Sequence, residues 1–472
     1  MAKKDMTLTR ALTTARPFGW RDRVGYMFGD LGNDFIFIFS SSYLMVFFTN
    51  IAGLQAAHVG LLFLLTRLLD AFSDVGWGRF LDAHRPSPHG RFRPWIIRAA
   101  VPLVVVSALM YAPFITDWAY GAKLTYAVVT YILWGSVFYT MVNISYGSLA
   151  SVITSDPGQR SGLSVFRGLG ANIAGVLVAV VPPLFIYASV DGESVASKTG
   201  FFWTGVVFAV CALLFYVFCY KLTTERVKAP QQERPNFVRM LGSLFTNRAL
   251  LALMATNLVI MLSGLLVNTM AAYLWLNYFN NGTLSGPAQL TGFLPGVLMA
   301  PFAEKIATRY GKREVMATLL LVSSVVFFVL YFLHVTSPWT FIALSLVAGF
   351  GLGTFNLLVW AVIGDVIDSE EVRTGVRDDG TVYSINTWAR KLGLALAGGL
   401  GGAALSIVGF QAGGGAQSER TIEGIYAFST LAPAFLYAIA AILLLTWYPL
   451  SRKRVNENVA LLASRRAEAE AV

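Results

Sequence analysis

Runs of about 20 apolar residues recur from one end of this chain to the other, and that is the length an α-helix needs to cross a bilayer. Inside lipid the backbone must satisfy its own hydrogen bonds, so each run is expected to fold as a helix. The chain is 56% hydrophobic and 13% charged over 472 residues. Spans and their polar joints leave room for little else, so one polytopic, all-α membrane protein is expected. No apolar core precedes Tyr26, so the start reads as a short cytoplasmic tail and not as a cleavable signal.

A 20-residue criterion gives about twelve spans. Those of the first half are Tyr26–Ile51, Val59–Leu81, Trp95–Phe114, Leu124–Val152, Val165–Ala188 and Phe201–Lys221. Those of the second are Leu250–Phe279, Gln289–Thr308, Val315–His334, Thr340–Ile367, Val382–Val408 and Ile425–Trp447. Between the halves lies LTTERVKAPQQERPNFVRMLGSLFTNR, rich in Arg, Lys and Gln. The expected organisation is a tail (1–23), a bundle (24–221), a connector (222–248), a second bundle (249–450) and a tail (451–472).

The net charge of +10 would suit nucleic acid, but its distribution does not. Basic residues gather in alternate loops: Arg91 and Arg93, Arg160, Lys221 to Arg248, Lys305 to Arg313, and Arg452 to Arg454. The intervening loops carry only Lys123, Lys198 and Arg420. The positive-inside rule makes the basic side cytoplasmic, with both termini there and an even number of spans. Cys211 and Cys219 lie eight residues apart in one apolar run, too far apart on a helix to bridge.

The halves echo each other. GRFLDAHRPSPHGRFRPW follows span two and APFAEKIATRYGKREVM follows span eight, each with an acid ahead of a Gly-basic cluster. Two six-helix halves, a cytoplasmic connector and this repeated loop resemble the major facilitator superfamily. The resemblance implies twelve transmembrane helices in two six-helix halves, with a site near the midplane. Asp82, Arg91 and Arg93 are read as gate or structural residues, because an Asp at a helix end can pair with Arg or cap a neighbouring helix. The glycine-rich runs 168–175, 349–354 and 392–403 lie inside spans, where small residues allow close helix approach.

Four acids sit at helical spacing inside two of the apolar runs. Asp30 and Asp34 are four apart, and Arg67, Asp70 and Asp74 follow at i, i+3 and i+7. Each set shares one helix face. A carboxylate in hydrocarbon costs roughly 2.5–3.5 kcal/mol by insertion scales, so these acids should face the bundle interior or water. Asp70 and Asp74 can hold a cation, Ser73 can add a hydroxyl, and Arg67 can pair with an acid when the site is empty. A plain structural Arg–Asp tie is the alternative. Asp34 is a candidate to hydrogen-bond sugar hydroxyls, and Asp30 a capping or pairing residue.

In span four, Tyr139, Thr140 and Asn143 share a polar face suited to a polyol or to interhelical hydrogen bonds. Arg167 is either a substrate-binding base or an interfacial residue. In span eleven, Thr387 and Lys391 are at i and i+4, and Lys391 within an apolar run needs an acid, water or substrate. Asp365, Asp368 and Arg377 belong to a loop dense in both signs and read as a salt-bridged gate. No metal-ligand spacing appears among the four His residues, and no nucleophile elbow, HExxH or P-loop is present. Neither an enzyme nor a bound cofactor is expected.

Together GDLGNDF, TRLLDAFSD with GRFRPW, NISYGSLA and DVIDSEEVRTGVRDDGTVYSINTWARK resemble the glycoside–pentoside–hexuronide:cation symporters, over about Trp20 to Pro449. The resemblance implies cation-coupled uptake of a sugar or glycoside. It puts Asp70 and Asp74 on paired cation-site acids and Thr140 on a further cation ligand. It puts Asp34, Arg167 and Lys391 on charged positions tied to sugar binding or coupling, with Thr387 a neighbouring polar position. Ser73 replaces an amide, which favours H+ over Na+ as the coupling ion. Asn143 and Gly147 replace an acid and a Trp of the melibiose branch, which leans the substrate towards the glucuronide type. The expected partners are a small sugar, a monovalent cation and the lipid bilayer of a bacterial inner membrane, the chain being a monomer. The rival readings are a lysolipid transporter on the same fold and a sugar-binding membrane sensor.

Overall fold

A computed structural model describes residues 16–84, 87, 89–154, 156–190, 193–227, 247–375 and 399–470, with the single positions 382, 393 and 396. The first half contributes α1 (Trp20–Val46), α2 (Ala56–Ala83), α3 (Arg93–Leu109), α4 (Tyr120–Ile132), α5 (Thr140–Ile153), α6 (Pro157–Val180), α7 (Pro183–Ile186) and α8 (Lys198–Leu222). The second contributes α9 (Arg248–Tyr273), α10 (Ser285–Tyr310), α11 (Lys312–Leu333), α12 (Pro338–Thr374), α13 (Glu419–Ile442) and α14 (Arg452–Glu470). Nine of the described helices are long and apolar enough to cross a membrane. α3 has only 17 residues, and α10 carries internal Pro295 and Pro301 and ends on Arg309 and Tyr310. The run from Val382 to Val408 lies mostly outside the described residues.

Polar side chains cap the starts of α6 and α8. Asp156 Oδ1 accepts from Gln159 N at 2.7 Å ahead of α6, and Ser197 Oγ accepts from Gly200 N at 3.1 Å ahead of α8. Each satisfies one of the orphan amides of a first turn. Span four runs from Tyr120 to Ile153 through a π-helical stretch, Leu133–Tyr139. Span five runs to Ile186 but is broken near its end. Pro182 and Pro183 have no N–H to continue the ladder, and α6 gives way to α7 and a short hairpin. Its strands β1 (Tyr187–Val190) and β2 (Glu193–Ala196) are antiparallel, with Tyr187 opposite Ala196 and Val190 opposite Glu193.

The chain forms two compact units. The first is Met1–Gln232 with Asn280–Gly286 and Leu405–Gln417; the second is Glu233–Phe279, Pro287–Ala404 and Ser418–Val472. In the first, α1 is central and packs on α6 and α8, while α3 packs on α8 and α5. Gly29 makes the approach of α1 possible: a Cβ there would stand 2.3 Å from the ring of buried Tyr146. In the second, α11 packs on α12 and α13, and α9 on α13. A Cβ on Gly353 of α12 would meet the Gly296 backbone of α10 at 2.6 Å. These contacts fit the packing role expected of small residues in spans.

Candidate functional site

The polar centre of the first unit is built by α1, α2, α5, α6 and the π-helical stretch before α5. Arg67, Asp70 and Asp74 lie on α2. Arg67 Nη1 donates to Asp70 Oδ2 at 3.1 Å. Its guanidinium lies 4.9 Å from the Phe37 ring centroid and 5.8 Å from that of Trp134. The rings shield the charge from water and attract it through their π faces. Ser136 Oγ donates to Asp70 Oδ1 at 2.5 Å, and Thr140 Oγ1 to Asp74 Oδ1 at 3.0 Å. The two carboxylates therefore each meet a hydroxyl from the facing strand of helix. Ser73 is turned differently: its hydroxyl donates to the Asp70 main-chain carbonyl at 3.1 Å.

A second ion pair lies on α1 and α6. Arg167 Nε donates to Asp30 Oδ1 at 3.0 Å, with Asp30 almost fully buried and Arg167 half exposed. Arg167 also stands 5.7 Å from the Tyr146 ring, which stacks on Tyr26 at 4.6 Å. Tyr146 is held in turn by donation to the Tyr26 carbonyl at 2.8 Å. The base suggested for substrate thus has an acid partner, and Asp30 serves as a pairing residue.

Three polar side chains of this region make no hydrogen bond among the described residues: Asp34 on α1, Tyr139 at the end of the π-helical stretch, and Asn143 on α5. All three are part-buried. Tyr139 is placed by stacking on Phe37 at 5.5 Å and on Trp134 at 5.7 Å. The polar atoms of these three side chains are not sealed off, so each is open to water or to a polar solute. Next to Asp34, Asn33 Oδ1 accepts from Tyr216 OH at 2.8 Å, and its amide nitrogen is buried with no partner among the described residues.

The gate residues have varied surroundings. Arg91 donates to the Leu81 carbonyl at 3.0 and 2.7 Å. Arg93 donates to the Tyr220 carbonyl at 3.2 Å and lies over the Tyr220 ring. The N-terminus of α3 is capped by Glu225, whose carboxylate accepts from the backbone of Arg91, Phe92 and Arg93 at 2.7, 2.9 and 2.9 Å. Asp82 is on the last turn of α2, but its side chain lies outside the described residues. On α12, Asp365 pairs with Lys312 at 2.7 Å, and Asp368 follows it, part-buried. Arg377, Thr387 and Lys391 all lie outside the described residues.

Sequence reasoning missed several contributors. Ser136 is an ordinary serine in an apolar run; the signal was its place four residues before Thr140. Phe37 and Trp134 read as core, since an aromatic ring does not announce the cation it covers. Glu225 and Asp22 passed unremarked. Asp22 is fully buried and accepts from Arg16 at 3.0 Å and Arg226 at 2.9 Å, tying the start of α1 to the chain after α8.

Comparison with known proteins bears on the fold and the family. The family model described as MFS/sugar transport protein matches residues 25–452. The chain is 32% identical over 449 residues to a glucuronide carrier protein homolog of Escherichia coli (strain K12), covering 95% of this chain and 96% of that protein. It is 31% identical over 465 residues to the inner membrane symporter YicJ of the same strain, covering 94% and 95%. Among solved structures, a D-xylose-proton symporter superposes with a TM-score of 0.62 at 14% identity, covering 91% of this chain and 97% of that one. A bacterial homologue of the iron transporter ferroportin, in an inward-facing state, gives 0.64 at 13%, covering 94% and 100%. These likenesses establish the major facilitator fold, a mostly helical membrane architecture. The chain belongs to the MFS/sugar transport protein family, among the major facilitators of the glycoside–pentoside–hexuronide:cation symporter type.

Proposed function

We propose that this protein is a secondary carrier that takes up a glycoside, pentoside or hexuronide together with a cation, by alternating access. The observation that carries the reading is the division of labour on the first unit. Asp70 and Asp74 each have a hydroxyl at hand, while Asp34, Tyr139 and Asn143 have no hydrogen-bond partner among the described residues. The first set suits a cation, and the second suits the hydroxyls of a sugar. Cation binding would lower the charge of the acid pair. By linkage, cation and sugar must raise each other's affinity equally.

Protons are the favoured coupling ion over sodium, because two carboxylates on one helix face repel each other and that favours a proton on one of them. Thr387 and Lys391 are proposed as sugar-binding groups on their i, i+4 spacing within an apolar run and on the resemblance. The charge of Arg167 is offset by Asp30. The case for an anionic sugar therefore rests on Lys391 and on similarity to a glucuronide carrier homolog. The expected setting is a bacterial inner membrane, with a monomer whose termini are both cytoplasmic and whose chemistry is carriage without catalysis. The deciding experiment is uptake by proteoliposomes of a panel of labelled glycosides, with imposed proton or sodium gradients. Accumulation of no sugar under either gradient would defeat the reading.

A further inference from the structure

The cation-coupled reading leaves open which neutral oxygen serves Asp70, and the local geometry is specific on the point. We propose that Ser136, and not Ser73, supplies the hydroxyl of the cation site beside Asp70; the proposal rests on that reading. Ser136 Oγ lies 2.5 Å from Asp70 Oδ1, and the Ser136 side chain is almost entirely buried. It belongs to the same face as Thr140, which reaches Asp74 at 3.0 Å. The facing helix thus brings one hydroxyl to each carboxylate. The hydroxyl of Ser73 is instead directed at the main chain of its own helix.

A serine hydroxyl is both donor and acceptor. It donates to the bare carboxylate, and on rotation it turns a lone pair towards a bound cation, which takes oxygen ligands. Arg67 is the competitor, since it holds the other oxygen of Asp70 and is kept in place by Phe37 and Trp134. Ser136 keeps Oδ1 directed away from that guanidinium. Without it the carboxylate is free to turn both oxygens to Arg67, a stronger bidentate pairing. The coupling cation then has to displace a better-held partner.

The test uses the full chain in proteoliposomes. Uptake of the best glycoside is measured against sodium at fixed pH and against pH without sodium, so that the wild type identifies the driving cation. Ser136→Ala should raise the half-saturating concentration of that cation about tenfold or more, because the cation-bound state loses the Ser136 lone pair and the cation-free state gains a two-oxygen hold by Arg67. Ser136→Thr should restore it, and Ser73→Ala should stay within about twofold of wild type. Sugar counterflow at saturating cation should be retained in every variant, which separates a cation effect from a damaged fold. An unshifted Ser136→Ala overturns the proposal. So does a Ser73→Ala shift as large as that expected for Ser136→Ala, even if Ser136→Ala fails to fold. A wild type indifferent to both cations overturns the coupling reading and the proposal with it. A cation-dependent wild type with an unshifted Ser136→Ala overturns the proposal alone.

Discussion

Arg167 Nε and Asp30 Oδ1 are 3.0 Å apart although their residues are 137 positions apart in the chain. Asp30, which the sequence suggests as a capping or pairing residue, is thereby half of an ion pair tying α1 to α6. Removing one partner strands the other, whereas removing both does not. Asp30→Asn and Arg167→Gln should each lower thermal stability in detergent. The double variant should recover part of the loss, with a coupling of about 1 kcal/mol because Arg167 is half exposed. Additive losses in the double-mutant cycle would show that the pair does not act as a unit.

Asp70→Asn and Asp74→Asn should abolish accumulation of sugar against a gradient while leaving the helical fold intact. Both acids occupy costly positions on one face of α2, and both are met by hydroxyls of the facing helix. Uptake under an imposed gradient is the measurement, with circular dichroism as the check on folding. Either variant concentrating sugar as wild type does would remove that carboxylate from the coupling machinery.

A pH jump without sodium should drive uptake more strongly than a sodium jump at fixed pH. Two carboxylates on one helix face repel each other, which favours a proton on one of them. Dependence on sodium with no response to the pH gradient would reverse the assignment of the ion.

An anionic glycoside should bind more tightly than its neutral counterpart. Calorimetry on a glucuronide and the matching glucoside provides the comparison, and Lys391→Gln should narrow the difference. Lys391 is the base left to meet an anionic group once Asp30 offsets Arg167, and a low-dielectric cleft magnifies that attraction. Tighter binding of the glucoside by wild type would return the substrate to neutral glycosides or pentosides.

Gly29→Ala should destabilise the first unit by about 1–3 kcal/mol, the range for forcing extra volume into a packed interior. The added carbon would stand 2.3 Å from the Tyr146 ring, and that ring is fully buried with its hydroxyl fixed on the Tyr26 carbonyl. Thermal unfolding in detergent gives the shift. A stability equal to wild type would mean that the ring yields at little cost.

What the sequence by itself determined is whatever depends on spacing along one helix. Apolar run length set the helices, because the backbone in lipid must bond to itself. The i, i+3 and i+7 phase of Arg67, Asp70 and Asp74 set their common face, and the Arg67–Asp70 pair is within one turn. The resemblance in the motifs placed the chain in its family before any geometry was known. Tertiary structure alone decided the partners across helices. It brought Ser136 to Asp70, Phe37 and Trp134 to Arg67, Asp30 to Arg167, and Glu225 to the start of α3. Which of many serines, rings and acids meets a given charge depends on how helices distant in sequence pack and on where glycines let them come close. No local pattern carries that information, and so the faces were legible in the chain while their contacts were not.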